Sequence, residues 1–139
     1  MDTVVFVEPK VIDYFTNEMI LAQINGDVDT TVARKYFVSG FPTAVMLGPD
    51  GKEVDRIVGF APPDEYLKMI QDYKAGIGTL DDLLKKATDS VDRSLYYQIA
   101  DKYKYNGGSD QATEWFGKVI AAGAPTDSLS GESRMALAD

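Results

Sequence analysis

Apolar and polar positions along this chain follow two regimes, a mixed one up to about Gly78 and a purely helical one after it. Val11, Ile12, Phe15 and Met19 recur at helical spacing behind Glu8-Pro9. Proline suits a first helical turn, where its missing N–H is not needed, so the pattern predicts a helix from about Pro9 to Asn17. Ile20-Leu21-Ala22-Gln23-Ile24 is a short apolar run stopped by Asn25-Gly26, which predicts a buried strand. A second helix is expected near Thr30 to Tyr36, with Val32, Ala33 and Tyr36 on one side. Thr43-Ala44-Val45-Met46-Leu47 carries no charge and suits a strand covered on both faces. Gly48-Pro49-Asp50-Gly51 supplies turn chemistry, and Lys52 to Val58 alternates in the manner of an edge strand, which together predict a β-hairpin. Pro62-Pro63-Asp64-Glu65 opens a further helix with Tyr66, Leu67, Ile70 and Tyr73 on its apolar side, ended by Gly76 and Gly78. Helix, strand, helix, strand, strand, helix is the order of an α/β domain, a mixed sheet with one antiparallel hairpin and flanking helices.

Beyond Gly78 every periodic segment is helical. Thr79-Leu80-Asp81-Asp82 resembles a capping box, followed by a stripe of Leu80, Leu83, Leu84 and Ala87. Two amphipathic segments follow, about Arg93 to Tyr105 and Asp110 to Ala122, separated by Asn106-Gly107-Gly108-Ser109. The stretch from Pro125 to Asp139 is polar and small-sided, and predicts no more than a final frayed turn. The chain therefore divides at about Gly76 into an α/β domain, 1–76, and a helical extension, 77–139.

Composition narrows the chemistry. The net charge of −8, with no basic run longer than Lys85-Lys86, speaks against binding a phosphate backbone, so no nucleic-acid partner is expected. The acidity is spread out: residues 1–76 hold 7 basic against 12 acidic side chains, and residues 77–139 hold 7 against 10. No segment has the roughly 18 consecutive apolar residues of a membrane span, and Met1-Asp2-Thr3 lacks the basic start of a secretory signal. With no cysteine and no histidine, the chain has no thiolate nucleophile, disulfide or imidazole base, and scarcely any means of holding zinc. No metal, cofactor or catalytic residue is expected from these residues.

Other candidate sites have plainer explanations. Asp27-Val28-Asp29-Thr30-Thr31 offers alternating oxygens, but Val32 and Val38 stand where a calcium loop needs Gly and Glu; helix N-capping by Asp29 or Thr30 accounts for it. Asp50, Glu53 and Asp55 could be paired for acid–base work on paper, yet acids around a hairpin are expected to be solvated surface. Gly76-Ile77-Gly78 follows a helix and lacks the third glycine of a dinucleotide fingerprint. Tyr96, Tyr97, Tyr103, Tyr105 and Trp115 could line an aromatic groove, although several are expected in the helical core, with Tyr97 and Tyr105 the more exposed.

Ala33 to Val38, then Ser39-Gly40-Phe41-Pro42-Thr43, an apolar strand, Gly48-Pro49-Asp50-Gly51-Lys52 and Val58-Gly59-Phe60 resemble the second half of a thioredoxin-like protein. The match runs from about Met1 to Tyr73. The resemblance implies a thioredoxin-like fold and a thiol:disulfide interchange parent, with a cis bond before Pro42 and a peptide-binding role for Gly40, Phe41, Pro42 and Thr43. It also implies that W-C-x-x-C would fall just before Met1, so the sequence reads either as part of a longer redox protein or as a cysteine-free descendant; as given it is expected to be redox-inactive.

By the same resemblance the family's first strand would lie between Ile20–Ile24 and Thr43–Leu47, which leaves both with unpaired edges. Thr3-Val4-Val5-Phe6-Val7, rich in β-branched residues, is the candidate to fill that slot or exchange between protomers. A protein or peptide substrate and homo-oligomerisation through the exposed edges are the expected partners, and the parent family points to the cell envelope or periplasm. Tyr96, Ile99, Ala100, Tyr103, Gly107, Ala112, Phe116 and Val119, with Pro125 one place late, resemble a single tetratricopeptide repeat.

Overall fold

The computed structural model describes residues 4–124 and 126–138. The chain forms two compact units, Met1–Ile77 and Gly78–Asp139.

The first unit contains helices α1 (Pro9–Glu18), α2 (Thr30–Lys35) and α3 (Pro63–Lys74) and strands β1 (Thr43–Leu47) and β2 (Glu53–Val58). Pro9 opens α1 and Pro63 opens α3, each in a position that needs no backbone donor. Asp29 caps α2 by accepting from Thr31 N–H at 3.2 Å, as capping chemistry predicts. β1 and β2 pair antiparallel, Thr43 opposite Val58 through Met46 opposite Asp55, with a register shift before Leu47. The core gathers Val5, Val11, Phe15, Ile57, Ala61, Tyr66 and Ile70 between α1, α3 and one face of the hairpin. Phe6 meets Tyr66 edge-on, centroids 5.6 Å apart, the arrangement favoured by the ring quadrupoles. Burial pushes the Tyr66 hydroxyl up to about 12, because phenolate cannot be solvated there.

Three expectations are corrected in this unit. Ile20–Ile24 joins no strand; the sheet has two strands, β1 and β2, among the described residues. Ile20 is 97% exposed, and Leu21 and Ile24 are also exposed. An apolar β-type run without a neighbour to exchange backbone hydrogen bonds has no reason to be a strand. The proposed strand at Thr3–Val7 is not formed by its described part, Thr3 lying outside the described residues. Val4–Val7 is a turn whose Val5 carbonyl accepts from Glu8 N–H at 3.3 Å. Because α1 starts at Pro9, the chain must reverse at once, and the reversal plugs Val5 into the core with no exposure. The hairpin's burial is also opposite to expectation: no residue of β1 is buried, whereas Asp55, Arg56 and Ile57 of β2 are.

The second unit is all helix: α4 (Leu80–Asp89), α5 (Arg93–Asn106), α6 (Ser109–Ala121) and α7 (Ser128–Ala138). Thr79 caps α4 by accepting from Asp82 N–H at 3.3 Å, and Asp82 reaches back to Gly78 N–H at 2.7 Å, a reciprocal cap one residue wider than the usual box. Leu83, Leu95 and Ile99 form one buried cluster and Ala100, Ala112 and Phe116 another. α7 replaces the expected frayed turn. Its buried face is made of Ser130 and Ser133, both at zero exposure, with Ser133 Oγ bonded to Leu129 O at 2.8 Å. Arg93 draws the N-terminal end of α7 inward, donating to Val119 O, to Asp127 Oδ1 and to Ser130 Oγ, each at 3.0 Å. Serines give no apolar period, so the helix has no hydrophobic signature in the sequence. Pro125 lies outside the described residues.

Candidate peptide-binding site

The Gly40–Thr43 loop is held from both sides by backbone geometry. Upstream, α2 closes in a Schellman-type turn: Phe37 N–H bonds to Arg34 O at 3.1 Å and Val38 N–H to Ala33 O at 2.8 Å. The residue at the left-handed position of this turn is Phe37, φ 52°, where glycine is usual. A bulky side chain there costs roughly 1–2 kcal/mol. α3 ends with the same pair of bonds, Gly76 N–H to Tyr73 O and Ile77 N–H to Asp72 O, and does have glycine, φ 74°.

β2 anchors this turn through a side chain. The Arg56 side chain, 4% exposed, donates from Nη2 to Tyr36 O at 2.8 Å and to Glu53 Oε2 at 2.5 Å, and from Nε to Glu53 Oε1 at 2.6 Å. A planar guanidinium thus binds a carboxylate through two bonds while satisfying the carbonyl at the end of α2. The expectation that Asp50, Glu53 and Asp55 are all solvated holds only for Asp50. Glu53 is half-buried against Arg56, and Asp55 is 5% exposed with Oδ1 accepting Arg56 N–H at 2.8 Å. Nothing in an alternating Lys52–Val58 run distinguishes a clamp from a solvated charge; the signal is a lone arginine among acids on a strand.

Downstream, Gly59 N–H bonds to Pro42 O at 2.8 Å, and Thr43 Oγ1 donates to Gly40 O at 2.7 Å, closing the loop on itself. The Phe41–Pro42 bond is cis. Phe41 is 62% exposed, yet one side of its ring rests on Gly26: a Cβ there would meet Phe41 Cζ at 2.2 Å. Gly26 therefore serves as the floor beneath the ring, which any larger residue would displace. Two further exposed aromatics, Phe37 and Phe60, flank the loop in sequence and across the Pro42–Gly59 bond. Sequence reasoning placed neither Phe37, Phe60 nor Gly26 in the site. Their signal is three phenylalanines and an Asn-Gly turn that no apolar period requires.

The aromatic residues of the helical unit are not assembled into an open groove. Tyr96 lies tilted against Trp115, centroids 5.3 Å apart, and Tyr97 meets Phe116 edge-on at 5.5 Å, while Lys118 Nζ sits 3.8 Å from the centre of the Trp115 ring. All five are partly buried, so Tyr97 and Tyr105 do not stand out. Among the described residues no group of His, Cys, Asp or Glu could hold a metal ion, and no helix is long and apolar enough to cross a membrane.

An antiparallel hairpin entered through an x-Pro-Thr loop and accompanied by α1, α2 and α3 makes the first unit an α/β domain whose described sheet is antiparallel and not the mixed sheet expected from the sequence. The family model for a thioredoxin-like domain matches residues 1–74. A thioredoxin of Chlamydia caviae is 33% identical over 57 residues, 41% of this chain and 55% of the relative's own length. The chain belongs to the thioredoxin-like family, with an incomplete fold of that type and a helical extension. It spans about half the length of the curated relative it matches. No solved structure matches it.

Proposed function

We propose that this chain is the thioredoxin-like domain of a thiol:disulfide interchange protein, redox-inactive as given, in which Gly40, Phe41, Pro42 and Thr43 hold an extended peptide. The observation that carries this reading is Phe41, 62% exposed on a loop fixed at Gly40, Pro42 and Thr43 by backbone and hydroxyl bonds. A large apolar ring held in water by a rigid frame is the usual anchor of a binding site. Because the sequence holds no cysteine, the chain supplies no thiolate to attack a disulfide, and without histidine a hydroxyl has no imidazole base to activate it. The helical unit, patterned like one tetratricopeptide repeat, serves as a protein-contact extension.

A fluorescein-labelled, unfolded, cysteine-free peptide titrated with the full chain tests the reading by anisotropy. Saturable binding that weakens about tenfold in Phe41→Ala, with an unchanged circular dichroism spectrum, is expected, as is insulin reduction no faster than dithiothreitol alone. Binding indifferent to Phe41, or catalysed reduction, overturns it.

A further inference from the structure

Asparagine precedes glycine twice in the chain, at Asn25-Gly26 and Asn106-Gly107. The pair has a chemistry of its own. The glycine backbone nitrogen can attack the asparagine side-chain carbon Cγ, expelling ammonia and closing a cyclic imide, and glycine, without a Cβ, leaves that approach unhindered. The N–Cγ bond forms, the Cγ–Nδ2 bond breaks, and the proton of the glycine nitrogen leaves with the ammonia. Water then opens the ring at either carbonyl, giving aspartate or isoaspartate, with nothing oxidised or reduced.

The two sites share one half of what this reaction needs and differ in the other. Asn25 Oδ1 accepts Asp27 N–H at 3.0 Å, and Asn106 Oδ1 accepts Gly108 N–H at 3.2 Å. Each bond folds the side chain back over the glycine peptide and places a donor on the oxygen where negative charge develops during the attack. The nucleophiles are not alike. Gly107 N–H caps α5 by donating to Tyr103 O. A nitrogen so held cannot give up its proton without setting the resulting anion against a carbonyl oxygen. Gly26 N–H donates to no group among the described residues. Asn25 is also exposed, whereas Asn106 is half-buried. The turn at Asn25 is closed by bonds of its own: Val28 N–H and Asp29 N–H donate to Asn25 O at 3.1 and 2.8 Å, so its geometry is set within Asn25–Asp29.

We propose that Asn25 is a self-modifying site, which in the folded chain converts to aspartate and isoaspartate by way of Gly26 while Asn106 is spared. The consequence falls on Phe41. Gly26 is the floor beneath that ring and has no room for a Cβ, and isoaspartate lengthens the main chain by a methylene immediately before the floor. The ring must shift, and a negative charge enters the same turn. An ageing chain thus retires the Phe41 loop; this last step rests on the peptide-binding reading, whereas the modification and the ring shift do not.

The test ages the full chain in warm neutral buffer and reads the two Asn-Gly peptides by mass spectrometry after digestion. The folded chain is expected to lose ammonia at Asn25 about tenfold faster than at Asn106, the worth of the hydrogen bond that holds Gly107. In guanidinium chloride, where neither turn nor helix stands, the two rates should converge. Equal rates in the folded chain, faster loss at Asn106, or a difference that survives unfolding and so belongs to the sequence alone, overturns the proposal. The isoaspartate form, separated by anion exchange, should show displaced Phe41 ring resonances by NMR beside an unchanged Trp115 indole; a Phe41 ring that stays in place overturns the link to the loop. Asn25→Gln, which needs a larger ring to cyclise, should abolish both the reaction and the displacement on ageing. A Phe41 ring that moves with age in that variant as well overturns the assignment to Asn25.

Discussion

The two units treat their apolar side chains in opposite ways. Among the described residues, fourteen large apolar side chains stand exposed in Met1–Ile77 and three in Gly78–Asp139. The helical unit even buries two serines at zero exposure and bonds them internally, whereas the α/β unit leaves Ile20 almost wholly in water. A helix satisfies its own backbone and needs only a neighbour for one stripe; a strand must find a neighbour for its backbone as well. The exposed apolar residues accordingly cluster where a strand has no neighbour: at Ile20–Ile24, at Leu47 of β1, and around the Phe41 loop. Apolar surface of this extent is the feature on which the proposed peptide binding rests.

The largest expected effect tests the closed half of that comparison. Phe116, 1% exposed, lies in a buried cluster with Ala100 and Ala112. Phe116→Ala should cost about 3–5 kcal/mol, read in urea melts by the fluorescence of Trp115, the chain's single tryptophan. Ile20→Ser, at the opposite extreme, should change stability by no more than about 0.5 kcal/mol, read from amide exchange in α1. A comparable loss in both variants would break the contrast, because it would mean that Ile20 is buried in solution.

What could be read in the sequence follows the range of the interactions involved. α1, α3 and the β1–β2 hairpin were legible because their signals are local: Pro9, Pro63 and Gly48-Pro49-Asp50-Gly51 act within a few residues. Which strand is covered was not legible, since it depends on a neighbour that periodicity does not reveal, and Thr43–Leu47 and Lys52–Val58 exchange their expected burial. Ile20–Ile24 has the composition of a strand in a place without a partner. α7 escaped notice because its inward face is Ser130 and Ser133, held by Arg93 from 37 residues away at Ser130. In the candidate site, Gly40–Thr43 is proposed by resemblance alone, whereas the Arg56 anchor, the Gly26 floor and the strained Phe37 are long-range or conformational facts.

A smaller effect sharpens the comparison at Phe37. α2 and α3 end in the same hydrogen-bonded turn, but Gly76 occupies the left-handed position in one and Phe37 in the other. Phe37→Gly should stabilise the α/β unit by about 1 kcal/mol while weakening the labelled peptide measured by anisotropy. Stability and binding moving in opposite directions is the mark of strain retained for function. Gain of stability with full binding would leave Phe37 outside the site.

The smallest effect contrasts the units through their titrations. In the helical unit, the Ser130 backbone N–H and the Arg93 guanidinium hold Asp127 down to about 2 from the usual 3.8. A carboxylate with a depressed folded value contributes fully above its unfolded value and loses that contribution as pH falls through the folded one. The helical unit should therefore weaken between about pH 4 and pH 2. Arg93→Met should move part of that loss back toward pH 4, only part because the Ser130 bond remains. In the α/β unit the direction reverses: Tyr66, pushed up to about 12 from 10.0, keeps its contribution below pH 10 and loses it as pH rises to 12. Tyr66→Phe should flatten that alkaline limb, while leaving the acid limb, followed by Trp115 fluorescence, in place. An acid limb that shifts in Tyr66→Phe, or an alkaline limb that persists, would show that the two titrations do not belong to the separate cores that the burial pattern assigns them.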